Sequence, residues 1–122
     1  MKMMMVERMF TVIILFGFYV VGKSEIYIVT IEGEPVTSYR GGVSGFEATA
    51  VESDEKLDVT SDSVSSYSQH LELKHDTLLE TLFDQGTYTK LYSYKHLING
   101  FAVDISPEQV KPLIFLIFLP TF

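Results

Sequence analysis

The stretch Tyr92–Ile105 reads YSYKHLINGFAVDI and predicts the centre of the fold. Two short runs of aromatic and β-branched residues, Lys90–Tyr94 and Phe101–Ile105, are typical of strands. The segment between them ends in Asn99-Gly100, a dipeptide that favours turns between antiparallel strands. The sequence therefore predicts a β-hairpin whose turn is set by Asn99 and Gly100.

A helix is predicted to begin directly after this hairpin, at Ser106-Pro107-Glu108. Serine, proline and glutamate in this order are typical of an N-cap, a first helical residue and an acidic first turn. Pro112 lacks a backbone donor and clashes with the preceding turn, so the helix is expected to stop there. The apolar run Leu113–Leu119 is compatible with a strand and is too short to span a bilayer.

The first strand of the domain is predicted upstream, over Glu25–Ile31, which reads EIYIVTI. Alternation places Ile26 and Ile28 on one face of the strand. Tyr27 and every second residue after it lie on the other face. Because both faces are apolar, this strand needs cover on both sides. A docking face is one source of such cover.

Residues 33–64 are rich in glycine, serine and carboxylates and show no sustained hydrophobic period. We interpret them as a long, acidic and largely irregular loop. Helical periodicity follows from Ser66, which stands in capping-box spacing with Gln69. An apolar stripe continues the helix until Gly86, which is expected to end it; the stripe consists of Tyr67, Leu71, His75, Leu78 and Leu82.

The N-terminal residues 1–22 have the order of a secretory signal peptide. Lys2 and Arg8 precede an apolar block, Met9–Val21, and small or polar residues follow it. We therefore expect a cleaved signal and a secreted, extracellular or cell-wall protein, with a retained anchor as the alternative. The chain contains no cysteine, so the exported domain must be stabilised by packing alone or by contact with a partner.

Charge and composition exclude several kinds of partner and site. The formal net charge is −7, which argues against nucleic acid as a partner. His70 and His75 are five residues apart on the predicted helix and cannot share a metal ion, so we expect no metal and no cofactor. Ser44 lies in GGVSGF, which lacks the spacing of a nucleophile elbow.

Two histidines remain as candidates for pH sensing. His75 lies in the helical apolar stripe, where an ordinary core role is the simpler interpretation, and His96 lies in the connection between the hairpin strands. Protonation of either near pH 6 would loosen the contact that it makes. We interpret them as possible pH sensors.

The segment KLYSYKHLINGFAVDISPEQV, residues 90–110, closely resembles the propeptide of plant subtilisin-like serine proteases. IYIVTIEGEP is similar to the first strand of that family and SYSQHLELKHDTLLETLF to its first helix. The resemblance covers about residues 26–110, including the acidic loop, which is similar to an insertion in one branch of the family.

The resemblance implies an α+β fold, a ferredoxin-like β-α-β-β-α-β prodomain with an antiparallel sheet that packs on the protease domain. It implies that Tyr92, Tyr94, Phe101 and Val103 are core or docking positions. For the tyrosines, docking and half-burial against the helix stay open as alternatives. The implied partner is a subtilisin-like protease domain, in cis in the family and in trans for this chain, with no stable membrane span.

The sequence departs from the family pattern in two respects. It contains none of the motifs Asp-Thr-Gly, His-Gly-Thr-His or Gly-Thr-Ser-Met that resemble the family's catalytic triad, so no enzyme activity is expected. The domain is expected over residues 25–111, and the tail 112–122 replaces the end of the last helix and the last strand. We expect an orphan propeptide with weak or no inhibition; a trans-acting inhibitor and an incomplete copy of a protease precursor are the alternatives.

Overall fold

The computed structural model describes residues 2–6, 11–13 and 24–118 of the chain. Its strands form one sheet in the order β2-β1-β3-β5-β4. All neighbouring strands are antiparallel except β1 and β3, which run parallel. The elements in chain order are β1 (Lys2–Val6), β2 (Thr11–Ile13), β3 (Glu25–Thr30), a 3-10 turn (Val36–Ser38), α1 (Asp62–Leu82), β4 (Thr89–Tyr94), β5 (Gly100–Ile105) and α2 (Pro107–Phe118).

The three strands β3, β5 and β4 form the antiparallel centre of the domain, and both helices pack on one of its faces. The α+β class predicted from the sequence is confirmed. The chain runs from β3 through α1 to β4, which leaves β5 between them, as the predicted β-α-β-β-α order requires. The main core consists of Tyr27, Val29, Leu79, Phe83, Phe101, Val103, Ile105, Val110 and Leu113.

Helix α1 begins four residues before the predicted start at Ser66. Ser61 is its N-cap, and the Ser61 Oγ accepts a hydrogen bond from the Val64 amide at 3.4 Å. Asp62 adds the acidic first turn that favours this end of a helix. The helix ends at Leu82 rather than near Gly86.

The acidic loop contains little regular structure, as predicted, but it builds a second core on the first half of α1. We define the second core as Val36, Tyr39, Val64, Tyr67 and Leu71. The Tyr39 and Tyr67 rings are stacked with centroids 3.8 Å apart and planes 7° apart. The Tyr67 hydroxyl donates to the Glu34 carbonyl at 2.6 Å. This packing explains how so long a loop fits in a small domain.

Helix α2 continues through Pro112, contrary to the prediction that it stops there. Proline removes one backbone hydrogen bond, but Val110 and Leu113 on either side of it are 4% and 0% exposed in the main core. Tertiary packing therefore outweighs the local cost. The run after Pro112 is helical up to Phe118 and does not form a strand.

The predicted signal peptide, residues 1–22, lies outside the described residues apart from β1 and β2. Strand β1 pairs with β3 in the register Lys2 to Tyr27 and Met5 to Thr30. Within residues 2–6, 11–13 and 24–118, no helix is long and apolar enough to cross a membrane.

Candidate functional site

The two faces of the central sheet have different surroundings. Side chains that alternate along β3 and β5, such as Val29, Phe101 and Val103, point into the main core under the helices. The intervening side chains lie on the opposite side, which we call the outer face. The outer face consists of Ile26 and Ile28 of β3, Tyr92 and Tyr94 of β4, and Ala102 and Asp104 of β5.

The four sheet positions implied by the family resemblance divide between the two faces. Phe101 and Val103 are fully buried core residues. Tyr92 is 59% exposed, and the half-buried Tyr94 lies beside it with ring centroids 5.0 Å apart. The two tyrosines therefore do not pack against the helices, and of these four only they are available to a partner.

The register across the sheet brings the outer-face side chains together. Ala102 pairs with Ile28 on one side and with Tyr92 on the other, which forms one apolar row across three strands. Asp104, two residues further along β5, pairs with Ile26 and with Thr89 and therefore lies in the next row across the sheet. A bulge in β4 lies between Lys90 and Tyr92, where these two rows meet on that strand.

The connection between β4 and β5 consists of the five residues 95–99, so Asn99 is its last residue. Gly100 is the first residue of β5. A Cβ at Gly100 would collide with the Val29 carbonyl oxygen of the neighbouring strand. The glycine is required because two backbones approach closely, not because of a turn conformation.

Asn99 instead anchors a buried polar network whose centre is His75. The His75 side chain is 0% exposed, and its Nε2 lies 2.7 Å from Asn99 Oδ1. Asn99 Nδ2 donates to the Glu32 carbonyl at 2.9 Å, so Oδ1 must act as the acceptor. We infer that Nε2 of His75 carries the proton and that Nδ1 is unprotonated.

The other side of the His75 ring leads to charged groups at the surface. Nδ1 lies 3.0 Å from the Ser93 hydroxyl, which also accepts a hydrogen bond from Lys90 Nζ at 3.0 Å. Lys90 forms an ion pair with Asp76 at 2.5 Å. Glu72 lies 3.6 Å from Lys90 Nζ and 3.1 Å from Lys95 Nζ. The hydrogen bond from Lys95 is the main cause that lowers the pKa of Glu72.

The Ser93-His75-Asn99 chain resembles a catalytic triad in its contacts but not in its accessibility. Ser93 is 6% exposed, and its oxygen already contacts Lys90. His75 contacts this serine through Nδ1 and lies against the Phe101 ring at 5.4 Å between centroids. Because this hydroxyl is buried and already hydrogen-bonded, we interpret the network as structural. Among the described residues, no group of three histidine or acidic side chains could hold a metal ion.

The two candidate pH sensors occupy different environments. Burial lowers the pKa of His75, and the positive charge of Lys90 lowers it further. The hydrogen bond that His75 donates to Asn99 and the charges of Asp76 and Glu72 oppose this shift. His96 acts through its backbone, because its carbonyl accepts from both the amide and the hydroxyl of Thr37. Only His75 is built into the network by its side chain.

Acidification below about pH 6.5 is expected to lower the free energy of unfolding through His75. Well above about pH 6.5 the imidazole is neutral in both the folded and the unfolded chain, so His75 does not reduce the free energy of unfolding there. Below it, the unfolded chain binds the proton first, because the folded pKa is lowered. Stability then falls by up to about 1.4 kcal/mol per pH unit until the folded pKa is reached. Urea unfolding between pH 5 and 7.5 measures this slope.

Two variants assign the slope to its source. His75→Leu should flatten the pH profile, although not completely, since burial also lowers the pKa of His70. His96→Ala should keep the wild-type slope, because the hydrogen bonds of His96 use its backbone carbonyl. An unchanged slope in His75→Leu would contradict the assignment.

Comparisons with known proteins agree with this architecture. The model of the peptidase inhibitor I9 family matches residues 26–114. The chain is 62% identical over 102 residues to the subtilisin-like protease SBT2.6 of Arabidopsis thaliana, which covers 84% of this chain and 12% of that protein. The subtilisin-like proteases SBT2.5 and SBT2.4 of the same plant are 58% and 33% identical, over 84% and 73% of this chain.

The matched relatives are much longer than this chain. It spans 12% of the length of SBT2.6 and SBT2.5 and 9% of that of SBT2.4. No solved structure matches. The similarity therefore concerns one domain of these proteases.

Proposed function

We propose a function from one premise, that this chain belongs to the peptidase inhibitor I9 family. The proposal is that it binds the catalytic domain of a subtilisin-like serine protease through its outer face. The observation that carries the proposal is the exposure of Tyr92, which lies beside the half-buried Tyr94 and Ile28 on the side of the sheet opposite the helices α1 and α2. An exposed apolar surface with aromatic residues is typical of a protein interface. The partner is the protease domain that the family relationship implies.

Binding of this kind has two consequences for the protease. A domain that binds the folded protease but not its unfolded chain stabilises the folded state by mass action, and so assists folding. The same domain inhibits the protease when it covers the substrate cleft. The proposed role is one of binding and not of catalysis.

We expect only weak inhibition when this chain acts on a separate protease. The described outer face spans only three short strands, so the interface that it can form is small. Small interfaces are typical of weak, transient complexes, and we expect binding at about micromolar concentration or weaker. The chain is therefore proposed to act in trans as a weak propeptide-type inhibitor.

A second candidate rests on the lengths of the relatives. The chain spans 12% of SBT2.6, so the same domain could act in cis within a longer precursor. Sequencing the transcript beyond the codon of Phe122 tests this candidate. A catalytic triad motif in the same frame would support the precursor, and a stop codon would support action in trans.

Tyr92→Ala is expected to weaken inhibition about 10-fold to 100-fold, because a tyrosine that becomes buried at an interface commonly contributes about 1.4–3 kcal/mol. The assay uses the full chain expressed in a secretory host and measures peptide cleavage by the mature protease SBT2.6. The folded state should persist, since Tyr92 is 59% exposed.

Leu97→Ala is the matched control for this substitution. Leu97 is 81% exposed in the connection between the hairpin strands and does not belong to the outer face. We expect it to inhibit like the wild type. Equal losses in both variants would mean that exposed apolar area, rather than the outer face, determines binding.

Secretion is part of the proposal. Its support is the order of Lys2, Arg8 and the apolar block in residues 1–22. N-terminal sequencing of protein recovered from culture medium tests it. A mature chain that begins near Lys23 supports cleavage, and recovery only from membranes contradicts it.

We propose His75, rather than His96, as the residue that couples binding to pH. Protonation of Nδ1 would place a second positive charge against the hydroxyl that Lys90 already contacts. This hydroxyl belongs to β4, the strand that carries Tyr92 and Tyr94. Acid would therefore disturb β4 and weaken binding through the outer face. Inhibition should therefore weaken between pH 7 and 5 in the wild type and less so in His75→Leu.

A further inference from the structure

Asp104 is the one charged residue of the outer face, and one of its oxygens is buried without a partner. Oδ1 is inaccessible to solvent and forms no hydrogen bond with any described residue. A carboxylate oxygen that loses water without gaining a donor destabilises the domain that contains it. The folded chain alone gives no reason for this arrangement.

The position of Asp104 is set by rigid elements. It lies in β5 between Ile26 of β3 and Thr89 of β4, in the row next to the apolar one. The β4 bulge between Lys90 and Tyr92 lies directly beside it, and bulges commonly redirect side chains near functional sites. The carboxylate is therefore held at the edge of the surface proposed to bind the protease.

We propose that Asp104 is a specificity-determining contact that pairs with an arginine or lysine side chain of the protease domain. This inference rests on the proposed function and names the chemistry of the partner at one end of the outer face. Oδ1 itself is inaccessible, so the partner would contact the part of Asp104 that stays exposed. Docking would remove the remaining water around this carboxylate, and a cationic donor is the group that best compensates that loss. A neutral apolar surface there would leave the charge buried and unpaired.

The proposal predicts opposite effects on stability and on binding. Asp104→Leu should raise the melting temperature or leave it unchanged, because the unpaired buried oxygen is removed. The same variant should inhibit mature SBT2.6 at least tenfold more weakly. If Asp104 only supported the fold, its substitution would lower both the melting temperature and the inhibition.

Asp104→Asn tests the charge. It keeps an acceptor oxygen of nearly the same shape but cannot form an ion pair, so it should also weaken inhibition at least tenfold. The inhibition constant of the wild type should rise between 50 and 500 mM salt more steeply than that of Asp104→Asn. Asp54→Asn is the matched control, because it makes the same charge change at an exposed position of the acidic loop.

The outcomes separate this inference from the proposed function. Suppose that the wild type inhibits the protease, that Tyr92→Ala inhibits weakly and that Asp104→Asn inhibits as well as the wild type. The proposed cationic contact is then wrong, while binding through the outer face is supported. If Asp104→Asn and Asp54→Asn lose inhibition equally, the effect is one of net charge and the contact is also wrong. If the wild type fails to inhibit at all, the proposed function and this inference fall together.

Discussion

Phe101→Ala is expected to lower the free energy of unfolding by about 3–5 kcal/mol, the usual cost of removing a buried phenylalanine. Phe101 is 0% exposed near the start of β5 and contacts both the main core and the His75 ring. Small domains have about 5–15 kcal/mol in total, so the variant should be barely folded. Urea unfolding followed by circular dichroism measures the change.

Tyr92→Ala provides the comparison, since it removes an aromatic ring from the opposite face of the same sheet. It should cost less than about 1 kcal/mol of stability, because the ring is largely exposed. A cost for Phe101→Ala below that of Tyr92→Ala would show that the two faces have been assigned the wrong way round. For the same reason, a charge placed at Phe101 would report on folding and not on docking.

Gly100→Ala is the second substitution with a large expected effect. The added Cβ would meet the Val29 carbonyl oxygen and the Thr30 Cα of the paired strand. Both are backbone atoms within a hydrogen-bonded ladder, so they cannot move without breaking the pairing of β3 and β5. We expect a loss of about 3 kcal/mol or more, measured by urea unfolding.

Gly45→Ala separates this steric cost from the conformational cost of replacing glycine. Gly45 has a φ of +89° in the acidic loop, and no described atom lies within 4 Å of the position that a Cβ would take there. Its replacement should cost about 1–2 kcal/mol, the penalty for a left-handed backbone. If both variants lose the same stability, close strand approach is not what requires Gly100.

The sequence predicted the parts of the fold that depend on local periodicity. The strands around Tyr92 and Phe101, the first strand and the stripe of α1 all lie where alternation and helical spacing placed them. These patterns record which side of an element is buried, and burial is the dominant force in folding. The family resemblance then supplied the order in which the elements pack.

The sequence failed where a tertiary contact overrode a local preference. Pro112 is a sound signal for the end of a helix, but the burial of Leu113 holds the backbone helical beyond it. The Asn99-Gly100 pair is a sound signal for a turn, but the partners of Asn99 are His75 and the carbonyl of Glu32. No local pattern shows a side-chain contact across 67 residues.

The division of the outer face from the core was only partly visible in the sequence. Alternation separates Ile28 from Val29, but it does not say which face the helices cover. The bulge at Lys90 and Tyr92 also shifts the alternation of β4 by one residue. No sequence pattern indicates the unpaired oxygen of Asp104. It arises because none of the described residues around it in the folded chain offers a hydrogen-bond donor.

The stacked rings of Tyr39 and Tyr67 give the second core an optical signature of its own. The chain has no tryptophan, so its seven tyrosines account for the near-ultraviolet absorption apart from weak phenylalanine bands. Two parallel rings with centroids 3.8 Å apart couple their electronic transitions and should dominate the tyrosine circular dichroism. The tyrosine band thus reports on the second core, while the far-ultraviolet signal reports mainly on the helices. If the two signals change at different urea concentrations, the acidic loop detaches from α1 before the sheet comes apart.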